Sequence, residues 1–262
     1  MGTSVSPVEP RDLVPERDAL FLDFDGTLVE IAPTPSSVRV APYLADLLLN
    51  LERRLGGALA LVTGRPVADV DGFLAPYRPA VAGVHGRDLR LPRTGERLRE
   101  PVDAAVLGEA RRLLEAVTAR YPGTLLEDKG ESVALHYRNA SPGAGEAVRA
   151  AALAAVEAGG GALKLLPGKM VVELMPAGVD KGVAIERLLA RAPFAGRTPV
   201  FVGDDVTDEA GFLVTRRLGG LGIKIGGGTT TAAGCYLPDV QALHAWLRRA
   251  AAAAVDQRGT QP

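Results

Sequence analysis

The segment Asp23-Phe24-Asp25-Gly26-Thr27 directly follows the apolar run Ala19-Leu20-Phe21-Leu22. A short apolar run of this kind predicts a buried strand. The two carboxylates at its end are two residues apart and point to the same side, and their repulsion costs free energy unless a cation or a reaction uses them. Gly26 permits a sharp turn, and Thr27 can hydrogen-bond locally. The segment therefore predicts an acidic, metal-binding, phosphate-handling site at the carboxyl edge of a sheet.

Two further apolar runs are followed directly by polar and charged residues. The run Val200-Phe201-Val202 leads into Gly203-Asp204-Asp205-Val206-Thr207-Asp208-Glu209. The run Ala58-Leu59-Ala60-Leu61-Val62 leads into Thr63-Gly64-Arg65-Pro66. Acidic turns are common on protein surfaces, but three strand ends that carry carboxylate, hydroxyl and carboxylate groups favour one shared site over three independent loops.

Around these runs the chain alternates between strand and helix patterns, which predicts a doubly wound parallel-sheet (Rossmann-like) α/β core. Between residues 104 and 177 the pattern changes to a helix followed by two strands, twice over, and predicts an inserted α+β cap domain. Turns are expected at Asp128-Lys129-Gly130 and at Pro167-Gly168. The core should then comprise residues 18–103 and 178–255, with a disordered leader over 1–17 and a polar tail over 256–262.

The motifs D-F-D-G-T, T-G-R, a later lysine and G-D-D-x-x-D resemble the four motifs of the haloacid dehalogenase superfamily of phosphatases. Thr63 stands where many members of that superfamily carry Ser, and both offer a hydroxyl. Further motif segments are Gly83-Val84-His85-Gly86, Leu126-Glu127-Asp128-Lys129-Gly130-Glu131-Ser132, Ala134-Leu135-His136-Tyr137-Arg138, Gly168-Lys169, Val172-Glu173 and Asp180-Lys181-Gly182. With these segments the chain resembles the trehalose-6-phosphate phosphatases over about 19–246.

The resemblance implies a phosphatase that transfers the phosphoryl group first to Asp23 and then to water. Asp25 is expected to protonate the leaving sugar oxygen and then to deprotonate the attacking water. Thr63 would donate its hydroxyl to a phosphate oxygen. Lys181 would neutralise the phosphate or Asp23, which explains a lysine beside the positive end of a helix.

The expected cofactor is Mg²⁺, because carboxylates, carbonyls and water are the oxygen ligands that this ion prefers. Its ligands would be Asp23, the backbone carbonyl of Asp25 and Asp204. Asp208 is expected either to bind the ion directly or to lie at a helix N-terminus, where its charge is favourable. Asp205 is a candidate for the surrounding shell.

The cap should select the sugar, since its hydroxyl groups need both acceptors and donors. The resemblance implies glucose binding by Glu127, Lys129, Glu131 and Glu173, although an exposed charged hairpin is an open alternative. Arg65 and His85 lie at core strand ends and are expected to reach the leaving group. His136 is open between a structural and a binding role.

Composition narrows the function classes. The 262 residues carry a formal net charge of −1, with 47% hydrophobic and 23% charged residues. This balance favours neither nucleic acid nor an anionic membrane as a partner, and no apolar stretch is long enough to span a bilayer. With Cys235 as its single cysteine, the chain has no intrachain disulfide, which suits a reducing cytoplasm. We expect a cytoplasmic monomer that acts on a small sugar phosphate.

Trehalose 6-phosphate is the expected substrate, and the reaction yields trehalose and phosphate. The sequence leaves open a phosphatase for a sucrose- or mannosyl-type sugar phosphate, because fold alone does not determine the substrate. A phosphomutase would use the same nucleophile. A catalytically silent sugar-phosphate sensor is disfavoured, because Asp23, Asp25, Thr63, Lys181 and Asp204 are all present.

Overall fold

The computed structural model describes residues 8–32, 34, 37–92, 94–99, 103–128, 130, 132–168, 170–227 and 230–252. The chain divides into two compact units, one formed by Met1–Arg99 with Asp180–Pro262 and the other by Glu100–Val179. The inserted unit predicted from the sequence, 104–177, is a few residues shorter at each end than the second unit of the structure. The tail predicted over 256–262 lies outside the described residues.

The first unit contains a sheet of eight strands. In chain order they are β1 (Asp18–Leu22), β2 (Leu59–Val62), β3 (Ala80–Gly83), β4 (Asp88–Arg90), β5 (Arg97–Arg99), β10 (Thr198–Gly203), β11 (Leu221–Ile225) and β12 (Cys235–Leu237). Their order across the sheet is β12-β11-β10-β1-β2-β3-β4-β5. Neighbours from β12 to β3 run parallel, and β4 and β5 form an antiparallel hairpin at the edge. Every residue of β1 is buried, as expected for a central parallel strand covered on both faces.

Helices lie between these strands in the sequence, and one follows the last strand. They are α1 (Leu44–Arg54), α2 (Val67–Leu74), α5 (Lys181–Leu189), α6 (Glu209–Arg217) and α7 (Val240–Ala252). α1 packs against α7, and α5 packs against α6. The predicted fold class of a doubly wound core with an α+β insertion is confirmed.

Three neighbouring strands of this sheet end at the predicted motifs. β10, β1 and β2 are adjacent, with β1 in the middle. Their carboxyl ends are followed by Asp204, Asp23 and Thr63, respectively. The chain leaves β1 toward β2 on one side, while β10 joins it on the other, which makes this edge the topological switch point where α/β sheets bind ligands.

The second unit is a four-stranded antiparallel sheet with two helices. The elements are α3 (Ala104–Arg120), β6 (Leu125–Asp128), β7 (Val133–His136), α4 (Ala144–Ala158), β8 (Leu163–Gly168) and β9 (Val171–Pro176), and the strand order is β6-β7-β9-β8. The side chains of Val133, Leu135, Val172 and Leu174 pack with the helices in a separate core. This unit therefore has its own hydrophobic interior.

The turn predicted at Pro167-Gly168 is wrong. Both residues belong to β8, where Pro167 pairs with Val172 and Gly168 with Val171. β8 is an edge strand, so a proline without an N–H group costs it no ladder hydrogen bond on its open side. β12 is not predicted from the sequence, because a three-residue strand carries too little pattern to detect.

The leader predicted over 1–17 needs correction for the residues that the structure describes. Pro10 is buried, the carbonyl of Arg11 accepts a hydrogen bond from Trp246 Nε1 at 3.2 Å, and Tyr236 N donates to the carbonyl of Val8. Specific contacts of this kind order a segment whose composition favours disorder. Residues 1–7 lie outside the described range. No helix in the described part of the chain is long and apolar enough to cross a membrane.

Candidate active site

A buried lysine joins two of the predicted carboxylates. Lys181 Nζ lies 2.7 Å from Asp23 Oδ1 and 2.6 Å from Asp208 Oδ1. All three residues are buried, with relative exposures of 3%, 4% and 0%. Lys181 is the first residue of α5, and the Asp180 side chain caps that helix by accepting a hydrogen bond from Val183 N. The cap fixes where the helix starts, and Lys181 at that start contacts Asp23 directly after β1.

Asp204 reaches the same place from β10. Thr27 Oγ1 lies 3.1 Å from Asp204 Oδ1 and 3.2 Å from Asp23 Oδ2, so the same hydroxyl is within hydrogen-bond distance of both carboxylates and can donate its one proton to either. Gly26 has a φ of 78°, and a Cβ atom there would lie 2.1 Å from Asp204 Oδ2. Only glycine permits this contact, because the conformation and the close approach both exclude a side chain.

Asp208 organises the loop that carries Asp204. Its Oδ2 accepts hydrogen bonds from the backbone N–H groups of Asp204 and Asp205, each at 2.9 Å. Asp205 and Asp208 also cap the short 3₁₀ turn between them in a reciprocal manner. Gly203 allows the Asp208 carboxylate to lie against the backbone, since a Cβ atom there would be 2.4 Å from Asp208 Cγ. These contacts support the structural role at a helix start, while direct binding of Asp208 to the ion stays a prediction.

Lys224 is a site residue that the sequence analysis does not assign. It is buried in β11, and its Nζ donates to the carbonyl oxygen of Asp204 at 2.6 Å. A lysine inside the apolar strand Leu221–Ile225 is the signal that identifies it, because buried lysines need a partner.

Burial raises the pKa of Asp23 well above its usual range, and the neighbouring Asp208 adds to the effect, while Lys181 opposes it. Burial and Asp208 together raise the pKa of Asp204 to about 6, against a smaller lowering by the Thr27 hydrogen bond and Lys181. Burial alone would lower the pKa of Lys181, but the adjacent carboxylates outweigh it and the net pKa is raised. The adjacent carboxylates therefore keep Lys181 in its charged form, while burial works against the ionisation of Asp23 and Asp204.

The carboxylate geometry fits a divalent cation. Asp23, Asp204 and Asp208 each offer an oxygen, and these three oxygens lie within 4.8 Å of one another. An all-oxygen donor set that leaves room for waters is what Mg²⁺ prefers. Raised pKa values in the same cluster show that a positive charge there would be favourable.

The residues that follow β2 and β3 continue the same sheet edge, on the side of β1 away from β10. Thr63 is buried, and its Oγ1 accepts from Arg65 N at 3.1 Å, which leaves its own proton for a different acceptor. Arg65 pairs with Asp25: its Nε and Nη2 lie 2.6 and 2.7 Å from the two carboxylate oxygens of Asp25.

His85 is held in an unusual conformation near Thr63. Val84 and His85 have φ values of 49° and 55°, a region that side-chain-bearing residues seldom adopt. His85 N donates to Thr63 O at 2.9 Å, and the imidazole lies over Gly64, where a Cβ atom would be 2.7 Å from His85 Nε2. Two strained residues at one strand end are typical of functional sites.

The sugar-binding candidates in the second unit lie on its sheet. The strand register places Glu127 opposite Ala134 and Ala134 opposite Glu173, in one row across β6, β7 and β9. Both glutamates therefore share a sheet face, on the side opposite the residues that pack against the helices. Lys129 and Glu131 lie outside the described residues.

Each glutamate of this row has a partner. Glu127 Oε2 lies 2.9 Å from His136 Nε2, and Ser132 Oγ donates to Glu173 Oε1 at 2.5 Å. Ser132 belongs to one of the motif segments, but no role for it is predicted from the sequence. Ala134 lies between the two glutamates in this row, and its small side chain projects less from the sheet than theirs.

Comparisons with known proteins agree with this geometry. The family model described as trehalose-phosphatase matches residues 21–238. The chain is 42% identical over 242 residues to the "Trehalose-6-phosphate phosphatase" of Escherichia coli (strain K12), covering 91% of this chain and 90% of that protein. It is 45% identical over 208 residues to the "Probable trehalose-phosphate phosphatase" of Sinorhizobium fredii (strain NBRC 101917 / NGR234), covering 79% and 77%.

Solved structures show the same fold. The crystal structure of a "trehalose-6-phosphate phosphatase related protein" aligns with a TM-score of 0.72 and 27% identity, covering 89% of this chain and 96% of that one. The C-terminal domain of the C. albicans trehalose-6-phosphate phosphatase aligns with a TM-score of 0.77 over 90% and 93%, at 20% identity. The family model, the relatives and the carboxylate site at the sheet edge lead to one conclusion: the chain belongs to the trehalose-phosphatase family.

Proposed function

We propose that this chain hydrolyses trehalose 6-phosphate to trehalose and phosphate, with Asp23 as nucleophile. The observation that carries the proposal is the buried Asp23–Lys181–Asp208 group beside Asp204. The pair of lysine contacts holds Asp23 in one orientation, and the charge of Lys181 remains available to phosphate oxygens.

In the first step, an Asp23 carboxylate oxygen attacks phosphorus while the bond between phosphorus and the sugar oxygen breaks. Asp25 gives its proton to that oxygen, and the sugar leaves as the alcohol. Thr63 donates its hydroxyl proton to a phosphate oxygen, and Lys181 neutralises developing charge.

In the second step, water attacks phosphorus and the bond to Asp23 breaks. Asp25 accepts the proton of the water, and phosphate leaves. Both carboxylates then return to their starting forms, so that no proton or electron pair is unaccounted for.

We propose that Asp23, Asp204 and the backbone carbonyl of Asp25 hold Mg²⁺, with Asp208 keeping the Asp204 loop and Lys181 in place. When bound, the ion supplies positive charge to the carboxylates and to the phosphoryl oxygens. Burial of the carboxylates, which is unfavourable for the protein alone, then becomes favourable.

Substrate choice is proposed to come from the second unit. Glu127 and Glu173 present carboxylate oxygens on one sheet face, and such acceptors suit the hydroxyl groups of a neutral disaccharide. The family resemblance adds Lys129 and Glu131, which lie between β6 and β7 in the sequence.

Phosphate release from a substrate panel tests the proposal. With Mg²⁺, kcat/KM for trehalose 6-phosphate should exceed the values for glucose 6-phosphate, sucrose 6-phosphate and para-nitrophenyl phosphate by about 10²-fold or more, because a site that hydrogen-bonds substrate hydroxyls rejects analogues that lack them. Asp23→Asn is the inactive control. Similar slow release from all four esters would retain the phosphatase chemistry and refute the trehalose assignment. No release from any ester would favour a sensor.

A further inference from the structure

The carboxylate of Asp25 is bound by a guanidinium fork. Arg65 Nε lies 2.6 Å from Asp25 Oδ2, and Nη2 lies 2.7 Å from Oδ1. Two parallel hydrogen bonds of this kind fix both the position and the rotation of a carboxylate, which a single contact does not. The Asp25 side chain is 38% exposed, so surrounding packing does little to hold it.

Arg65 is itself held firmly. Its guanidinium carbon lies 5.0 Å from the centre of the Phe73 ring and 5.8 Å from that of Phe24, and the two rings stack on each other. The side chain is only 10% exposed, and Nη1 lies 4.0 Å from Asp69 Oδ2. A planar cation packed against two aromatic rings loses little further freedom when it binds Asp25.

The sequence analysis expects Arg65 to reach the leaving group. The observed contacts give it a different task, because the two nitrogens on the Asp25 side are occupied by Asp25. The backbone of Arg65 supports the same edge: its N–H donates to Thr63 Oγ1, and its carbonyl accepts from Val84 N.

We propose that Arg65 is a positioning residue, which holds the Asp25 carboxylate in line to take a proton from the water that hydrolyses phospho-Asp23. The inference rests on the proposed function, because it assumes phosphoryl transfer to Asp23. A guanidinium fork binds the ionised carboxylate of Asp25. This is the form that accepts a proton from water in the second step. The water then loses its proton to Asp25, its oxygen bonds to phosphorus, and the bond between phosphorus and Asp23 breaks.

Rapid mixing with para-nitrophenyl phosphate separates the two steps. Para-nitrophenolate is a good leaving group that needs little protonation, so phosphorylation of Asp23 should proceed in Arg65→Met. Hydrolysis should be slower by about 10²-fold, the lower range of general-base contributions. We expect a burst of about one para-nitrophenolate per active site and then slow steady release, with kcat/KM near that of the parent enzyme, because this ratio reports the phosphorylation step alone.

A double-mutant cycle shows whether Arg65 acts through Asp25. Arg65→Met combined with Asp25→Asn should hydrolyse phospho-Asp23 no more slowly than Asp25→Asn alone, whereas independent roles would multiply the two losses. Asp69→Asn is the matched control, since it removes the distant carboxylate and leaves the fork intact; it should behave like the parent.

Two further variants guard against misfolding. Arg65→Lys keeps the charge but not the fork, and Phe73→Leu removes one ring of the stack. Both should show the burst, with a loss of hydrolysis smaller than in Arg65→Met. If Arg65→Met fails to fold, these two variants carry the test.

Several results would overturn the inference. A raised KM without a burst would mean that Arg65 binds the phosphate, and multiplicative losses in the cycle would mean that it acts independently of Asp25. A parent enzyme without phosphatase activity would overturn this inference and the proposed function together. An enzyme that hydrolyses para-nitrophenyl phosphate without preferring trehalose 6-phosphate would refute only the sugar assignment.

Discussion

At the scale of single residues, the site concentrates more negative than positive charge in a buried place. Asp23, Asp204 and Asp208 lie close together, and among the described residues Lys181 contacts Asp23 and Asp208, while Lys224 donates to the backbone carbonyl of Asp204. Without a cation, ionisation of Asp23 and Asp204 works against folding, because burial raises the pKa of both groups. The residues that suit the site for a metal thus make the metal-free protein less stable.

A pH-dependent response to Mg²⁺ follows from the raised pKa of Asp204, about 6. A raised pKa in the folded state means that ionised Asp204 destabilises the metal-free protein, with the full penalty above about pH 6. As the pH falls through 6, Asp204 takes up a proton and competes with the cation. Thermal unfolding should therefore show a larger rise in Tm on adding Mg²⁺ at pH 7.5 than at pH 5.5.

Asp204→Asn is the control for this prediction, because it removes the titrating ligand. The variant should show a small Mg²⁺ effect at both pH values. An equal rise in Tm for the parent protein at pH 7.5 and pH 5.5 would contradict the placement of the ion at Asp204.

At the scale of elements, the chemistry depends on strand ends and helix starts. β1, β2 and β10 bring Asp23, Thr63 and Asp204 to one sheet edge, and α5 starts there with Lys181. These elements are predictable from sequence, because apolar runs, an N-cap aspartate and motif spacing all point to the same arrangement. Local pattern does not reveal the pairing of Arg65 with Asp25 or of Lys224 with Asp204, since each joins distant segments.

The sheet of the second unit carries the element-scale prediction. Glu173→Gln should raise KM for trehalose 6-phosphate by about 10-fold or more, since a charged acceptor of a hydrogen bond contributes about 1.5–3 kcal/mol. Constants for para-nitrophenyl phosphate should stay within about two-fold, because that ester has no sugar.

Ser132→Ala is the matched variant for Glu173. It removes the hydroxyl that donates to Glu173 Oε1 at 2.5 Å and should give a smaller effect in the same direction. If Glu173→Gln raised KM equally for both esters, the glutamate would support the fold of the sheet and would not select the sugar.

At the scale of the whole molecule, the N-terminal segment of the described chain completes the first unit. Asp18 is buried and accepts hydrogen bonds from Arg11, Arg17 and the backbone of Val14. Burial would raise the pKa of Asp18, but these donors outweigh it and the net pKa is lowered. The monomeric state and the cytoplasmic location stay predictions.

Asp18→Asn should reduce the free energy of unfolding by about 1–3 kcal/mol at neutral pH, because the amide has no negative charge and replaces one of the two acceptor oxygens by a donor. A lowered pKa contributes stability above the unfolded value of about 3.9 and loses it as the pH falls through the folded value. The difference between variant and parent should therefore shrink below about pH 4. Denaturant unfolding across this range checks it, and a constant difference would contradict the role of the charge.

The nucleophilic role of Asp23 is the central claim for the whole enzyme, and one measurement addresses it directly. During turnover of trehalose 6-phosphate with Mg²⁺, the parent enzyme is quenched rapidly in acid, digested and examined by mass spectrometry for acyl phosphate. The account predicts phosphate on the peptide that contains Asp23, at the carboxylate of that residue, and none in Asp23→Asn. Rapid phosphate release with no phosphorylated Asp23 at any quench time, or with phosphate on a different residue, would contradict it.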